Sequence, residues 1–432
     1  MDITRRRLLQ LGALGLAGTA LGGLAACGDD DSAGGGATGG DSKELTLWYW
    51  SGGLSKKVLD GVATQFPDVK VTMAEIGGTF KEKLLTTMSG RSGIPDITGV
   101  KGEDISTFLA QEEQFLDLNE LGFDKVKSQY LEWKWRQATT KDGKVIGFPI
   151  DIGPTGLYYR ADVYEKAGMP TDPDEVSAAM STWDAFFDAG VQLKGKVPGA
   201  SMVVETTAVF DMVIGQGAKR FVDENNKFIG DQEHVRRAWD LAVKTLELGI
   251  NAKTPGGSQD FNAALVKGTL PSVIGAAWLA LDIRSAAEST SGKWRVAGTP
   301  GGPGNYGGSF LTIPRASRNP TKSFEIISWI LNPDNQAQGF TDAAIFPSAP
   351  ATYAMPALNK ADPFFGDQVT IKVFGPAAEK IPVAYEGPND AAVKAPFYTQ
   401  LSNVEAKGKK SDEAWNDAVS EAKKIGERLG VS

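Results

Sequence analysis

The sequence predicts an α/β protein built of more than one lobe, on three observations. From residue 44 onward, runs of β-forming residues alternate with segments of helical periodicity, and the order strand, helix, strand implies parallel βαβ units. About 390 residues follow a short apolar leader, a length that suits two or three lobes better than one small module. A Gly/Pro-bearing connection at 147–154 separates two alternating stretches and has the composition of an interlobe hinge.

The leader comes first. Thr4-Arg5-Arg6-Arg7 precedes an uncharged Gly/Ala/Leu-rich stretch at 8–26, the pattern of an export signal peptide over residues 1–26. The apolar run is barely long enough to cross a bilayer and is diluted by Gly12, Gly15, Gly18, Gly22 and Gly23, which favours a cleaved leader over a permanent membrane helix. Leu24-Ala25-Ala26-Cys27 resembles a bacterial lipobox, in which the cysteine thiol takes up a diacylglycerol, and Cys27 is the only cysteine of the chain. Thr4-Arg5-Arg6-Arg7-Leu8-Leu9-Gln10 resembles a twin-arginine motif, with Leu8 and Gln10 where that pattern prefers Phe and Lys, so a Sec route stays open. Residues 28–42 contain no large apolar side chain and cannot bury enough surface to order themselves, which makes 27–43 a lipidated, flexible linker.

Folded sequence begins with Leu45-Thr46-Leu47-Trp48-Tyr49-Trp50, a β-rich run stopped by Ser51-Gly52-Gly53. Val58, Leu59, Val62 and Phe66 then mark a helix that ends at Pro67, and a second strand follows at 69–73. Helical patterns are expected at 81–90 and 103–111, with a strand at 96–100 between them and another at 156–160. Thr182 or Ser181 can cap a helix whose Trp183, Phe186 and Phe187 face inward. Further helices are expected at 234–248, 321–331 and 412–429, the last amphipathic, and a short apolar strand at 272–274.

The composition excludes several chemistries. The net charge is −8 and no Lys/Arg cluster rivals the one in the leader, so nucleic acid and anionic lipid surfaces are poor partners. The single histidine, His234, begins a helical stretch and reads as a solvated surface residue, which leaves a Ser-His-Asp arrangement without support. No cysteine pair or His cluster offers transition-metal spacing, and neither a metal nor another cofactor is expected. The glycine-rich run 301–308 lacks the strand-to-helix position and the Lys-Ser/Thr of a phosphate loop. Paired carboxylates flanking a glycosidic bond remain open, because spacing along the chain does not exclude them.

Seven motifs in order carry a family resemblance. They are Leu45-Thr46-Leu47-Trp48-Tyr49-Trp50; Pro95-Asp96-Ile97; Gly147-Phe148-Pro149; Leu157-Tyr158-Tyr159-Arg160-Ala161-Asp162-Val163-Tyr164; Ser181-Thr182-Trp183-Asp184-Ala185-Phe186; Gly307-Gly308-Ser309-Phe310-Leu311-Thr312-Ile313-Pro314; and Ile327-Ser328-Trp329-Ile330-Leu331-Asn332-Pro333. Together, behind a lipobox, they make the chain similar to the family 1 extracellular solute-binding proteins, the group that includes maltose-binding protein. Arg160 departs from the family, which usually has Asn there. The resemblance implies a two-lobed periplasmic-binding-protein-like fold of type II: two α/β lobes joined by a multi-crossing hinge, with the ligand in the cleft between them. It implies 44–153 with 310–345 as the N-lobe, and 154–309 with 346–432 as the C-lobe. It further implies a monomeric receptor for an ABC importer, held to the outer face of the membrane only through Cys27, with no catalytic group of its own.

Sugars present C–H faces and hydroxyl rims, so their sites combine aromatic platforms with planar polar groups. Ten tryptophans and nine tyrosines exceed what a core of this size needs. Trp50 and Ser51 end the first strand at the crevice position, where Trp50 either meets the ligand or packs in the core. Lys101 and Glu103 follow the next strand, as hydroxyl-binding groups or as a solvated loop; Asp151 lies in the first crossing, as a hydroxyl acceptor or a turn cap. Trp278 matches the family position of a stacking tryptophan in the C-lobe. Tyr306, Gly308 and Ser309 sit at the second crossing, where small residues allow close approach to backbone. Phe346, Tyr385, Glu386 and Asn389 complete the candidates from loops. The substrate expected is a neutral di- or oligosaccharide; a secreted glycoside hydrolase and a receptor for a charged or non-sugar solute are the alternatives.

Overall fold

Strands of two separate sheets organise the chain. A computed structural model describes residues 40–432; the leader, the lipobox with Cys27 and most of the tether lie outside the described residues. The strands are β1 (Glu44–Tyr49), β2 (Lys70–Glu75), β3 (Ile97–Lys101), β4 (Phe148–Asp151), β5 (Thr155–Arg160), β6 (Ser272–Ala276), β7 (Trp294–Ala297) and β8 (Ser309–Thr312). The first sheet runs β2-β1-β3-β8-β4 and the second β6-β5-β7. β1 is parallel to β2 and β3, as the strand-helix-strand order requires, whereas β8 returns antiparallel between β3 and β4. The second sheet is antiparallel throughout, because β6 and β7 come from distant parts of the chain rather than from successive crossovers.

Local chemistry accounts for the main elements. Leu45 and Leu47 alternate into the core of the first lobe while Thr46 and Trp48 face the other side of β1. The Lys56–Gln65 helix starts where Ser55 Oγ accepts from the Val58 N–H at 3.2 Å, and it buries Val58, Leu59 and Val62 on one face. Thr182 caps the Trp183–Lys196 helix in the same way, accepting from Ala185 N–H at 3.1 Å. The helix expected at 103–111 is shorter: a 3-10 turn at Gly102–Asp104 leads into Ile105–Leu109. Its start is tied down, since Gly102 N–H donates to Gly308 O at 2.6 Å and a side chain at 102 would strike that carbonyl.

In the second lobe, Phe210, Phe221, Trp239, Phe397 and Trp415 form one aromatic cluster that joins the Thr206–Gly215, Glu233–Glu247, Asp390–Lys407 and Ser411–Arg428 helices. His234 departs from expectation. It is half-buried, its Nε2 lies 2.7 Å from Arg220 O, and burial lowers its pKa. Arg160 is also explained by packing: its guanidinium pairs both oxygens of Asp162 at 2.8 Å and donates to Leu265 O and Val266 O, among the last carbonyls of the Gln259–Lys267 helix. Leu131 and Trp133 pack with Tyr158, Phe346 and Phe374 around the second sheet, and Trp133 Nε1 donates to Ala378 O at 2.9 Å.

Candidate ligand-binding site

The chain passes between the sheets at three neighbouring places, and these are hydrogen-bonded to one another. Between β4 and β5, Gly153 N–H donates to Asn305 Oδ1 and Gly153 O accepts from Tyr306 N–H, both at 2.9 Å. Ile152 N–H donates to Phe346 O at 3.0 Å, which ties in the third crossing. Ser309 donates its hydroxyl to Asp151, whose pKa burial pushes up against the pull of that bond and of Lys134. Gly307 and Gly308 have φ of 81° and 86°, a conformation that side chains resist, so the second crossing needs glycine there.

Trp278 leaves the end of β6 and lies across two of these crossings. A Cβ at Gly153 would collide with the Trp278 ring, and one at Gly307 would sit 3.0 Å from it. The ring centroid of Tyr306 is 6.1 Å away at a 41° tilt, and Tyr306 is 56% exposed, so the pair presents an open aromatic surface rather than core. This surface borders a cavity of about 450 Å³, which Glu103, Ser106 and Gln137 line from the first lobe and Asp211, Glu386 and Tyr398 from the second. A second cavity of about 640 Å³ lies on the second-lobe side and shares Asp211, Trp278 and Tyr306 with the first.

The two cations of the first cavity are engaged, and its carboxylates outnumber them. Arg220 Nε pairs with Glu386 at 3.2 Å, and its Nη1 donates to Ile214 O and Gly217 O at 2.7 Å. Lys394 Nζ lies 3.5 Å from Asp211 Oδ1, to which Tyr398 also donates its hydroxyl. Asp390 accepts three backbone N–H bonds from Phe221, Val222 and Gly387, yet burial still pushes its carboxyl up to about 6. Both lining cations are thus engaged by carboxylates, while Glu103 and the aromatic pair face open space.

Of the sequence candidates, Glu103, Trp278, Tyr306 and Glu386 come together on the first cavity. Tyr385 lines a neighbouring groove that also touches Glu386. Asp151 and Ser309 are spent on each other in the hinge. Trp50 packs edge-on to Phe80 at 5.3 Å, over Gly53 and Gly99, with Lys101 Nζ 5.7 Å from its ring; neither residue lines the cavity. Ser51 stands exposed in the turn after β1, and Asn389 precedes the Asp390–Lys407 helix without lining the cavity. Phe346 is a packing residue instead, 1% exposed among Phe340, Tyr353 and Phe374. Sequence reasoning missed Asp211, Arg220, Lys394 and Tyr398. Asp211 had a signal, a lone carboxylate within the apolar run 208–214, and Lys394 and Tyr398 share a helix face at i, i+4.

The family model for bacterial extracellular solute-binding proteins matches residues 59–365. The chain belongs to that family. Its exported class follows from the same membership. Among relatives, the lactose-binding protein of Rhizobium radiobacter is 25% identical over 383 residues, covering 82% of this chain and 87% of that protein. The arabinooligosaccharide-binding protein of Bacillus subtilis strain 168 is 27% identical over 312 residues, 66% of this chain and 68% of its own. A crystal structure of a family 1 extracellular solute-binding protein superposes with a TM-score of 0.85 at 29% identity, covering 89% of this chain and 100% of the other. The two-lobed fold of type II is therefore shared with that structure.

Proposed function

We propose that this solute-binding protein captures a neutral oligosaccharide and delivers it to the permease of an ABC importer, without chemical change to the sugar. The observation that carries the reading is the Trp278–Tyr306 surface, set between carboxylates in a cavity whose two lining cations are already paired. Aromatic faces take sugar C–H patches, and carboxylates and amides accept and donate to hydroxyls. A phosphate or carboxylate ligand would need unpaired cations, so the engagement of Arg220 and Lys394 by carboxylates disfavours an anion. The lactose- and arabinooligosaccharide-binding relatives agree with a sugar.

We take 44–153 with 310–345 and 154–309 with 346–432 as the bodies that close on the ligand, with the joint adjusted so that Ser309 goes with β8. Ligand that touches Glu103 on one side and Trp278 on the other stabilises the closed form over the open one, and that difference is what a permease reads. Cys27 is proposed as the lipid anchor and the receptor as a monomer.

The test is a thermal-shift screen of the purified protein against neutral oligosaccharides, sugar phosphates, amino acids and polyamines, with chromatography of each mixture afterwards. A shift with one neutral sugar series and intact sugar supports the receptor reading. Cleaved sugar replaces it with a glycoside hydrolase, and shifts confined to charged solutes keep the receptor and discard the sugar.

A further inference from the structure

The two cavities are walled by the same three residues, Asp211, Trp278 and Tyr306, so that the aromatic pair forms a ridge with space on either side. Their volumes are about 450 and 640 Å³. Each alone falls in the range of about 300–1,000 Å³ that holds one small ligand, and the two together exceed it. The two compartments together thus offer more room than one small ligand needs.

The second compartment has the chemistry of a sugar subsite. Phe261 and Trp278 supply apolar surface, and Asn262, Glu205 and Asp282 supply groups for hydroxyls. No lysine or arginine is among the described residues that line it. Burial raises the carboxyl pKa of both Glu205 and Asp282, and with no cation in the lining a negatively charged occupant would have no counter-charge.

Resting on the sugar-receptor reading above, we infer that the second compartment is an extension subsite, and that the physiological ligand is a neutral oligosaccharide of three or more rings that crosses the Trp278–Tyr306 ridge. Chain length, rather than the identity of a terminal ring alone, then sets affinity.

The test is calorimetric titration of the whole protein with neutral oligosaccharide ladders of one to six units, drawn from the series that gives a thermal shift, together with acidic oligomers of equal length. Affinity is expected to rise at least tenfold between two and four units and then level off, with acidic oligomers weaker at every length. Ser285 stands on the helix that walls the compartment and lines it directly. Ser285→Trp is expected to flatten the length dependence, and Asn262→Ala to reduce it by several-fold if the bulkier variant melts early. Equal affinity for two and four units, or a ladder unchanged by both variants, overturns the extension subsite while leaving the sugar receptor intact. Absence of binding to every neutral sugar defeats both.

Discussion

Trp278 can lie across two crossings only because residues 153 and 307 carry no side chain to push it out. If its ring is the platform for the ligand, Trp278→Ala weakens sugar binding at least about tenfold, the loss typical of a central aromatic anchor, and Trp278→Phe weakens it less. Calorimetry on both variants checks this, and unchanged affinity in Trp278→Ala removes the ring from the site. Lys134 is the other residue whose environment is unusual. It is wholly buried, with Nζ 4.0 Å from the Phe310 ring centroid and 3.2 Å from Gln137 Oε1. Burial pulls its pKa from 10.5 down to about 8, although Asp151, Glu386 and Glu103 favour the cation. The folded chain thus gives up this proton above about pH 8 while the unfolded chain holds it to about 10.4. Between those values the unfolded state binds more protons, so stability rises with pH; below about pH 8 both states are charged and a cost of about 3 kcal/mol remains. Lys134→Met is expected to be more stable at about pH 7 and to lose that rise, as measured by urea midpoints from about pH 7.5 to 9.5. Parallel slopes for the two proteins contradict the assignment. Trp278 was legible through the family resemblance, which implies a stacking tryptophan in the C-lobe. Nothing marked Lys134, because a lysine between Glu132 and Arg136 looks exposed until the fold covers it.

At the scale of elements, glycine and arginine positions test the packing. Gly153→Ala drives Cβ into Tyr306 O and against Trp278, so the first and second crossings must part. Gly195 lies exposed in the Trp183–Lys196 helix, and no atom stands within 4 Å of the place a methyl group would occupy. The same change there is expected to add about 0.5–1 kcal/mol, through helix propensity and a less free unfolded chain. Thermal melts of the two alanine variants should move in opposite directions and only Gly153→Ala should weaken ligand binding; a Gly153→Ala protein with full stability and affinity refutes the close approach. Arg160→Ala removes both the pair to Asp162 and the donors to Leu265 O and Val266 O. A loss of about 2–4 kcal/mol is expected, seen as a lower urea midpoint with an unchanged slope. Strand and helix positions at the start of the folded chain were readable, because Leu45, Leu47, Val58 and Val62 announce their periods. The helix expected at 103–111 was found but read too long, since the turn at Gly102–Asp104 that leads into Ile105–Leu109 depends on a bond from Gly102 to the carbonyl of Gly308, far along the chain.

For the whole molecule, closure is the property that matters. A ligand at about a hundred times its dissociation constant should add about 2.7 kcal/mol to the folded state. Because that ligand would touch both lobes, small-angle X-ray scattering should show a smaller radius of gyration in its presence. Stabilisation with no contraction would mean that the sugar sits on one lobe only. The sequence by itself determined the α/β class, the first strands and helices in their order, the family motifs and the absence of paired cysteines, because all of these are written in local period, composition and spacing. Tertiary structure alone decided which candidates meet. Glu103, Trp278, Tyr306 and Glu386 converge on one cavity, while Phe346 turns into the core and Asp151 is taken up by Ser309. Asp211, Arg220, Lys394 and Tyr398 join the site from far along the chain. The physical reason is that a cleft is made by surfaces brought together across crossings, and a side chain's direction there follows from packing partners remote in sequence, which no local pattern records.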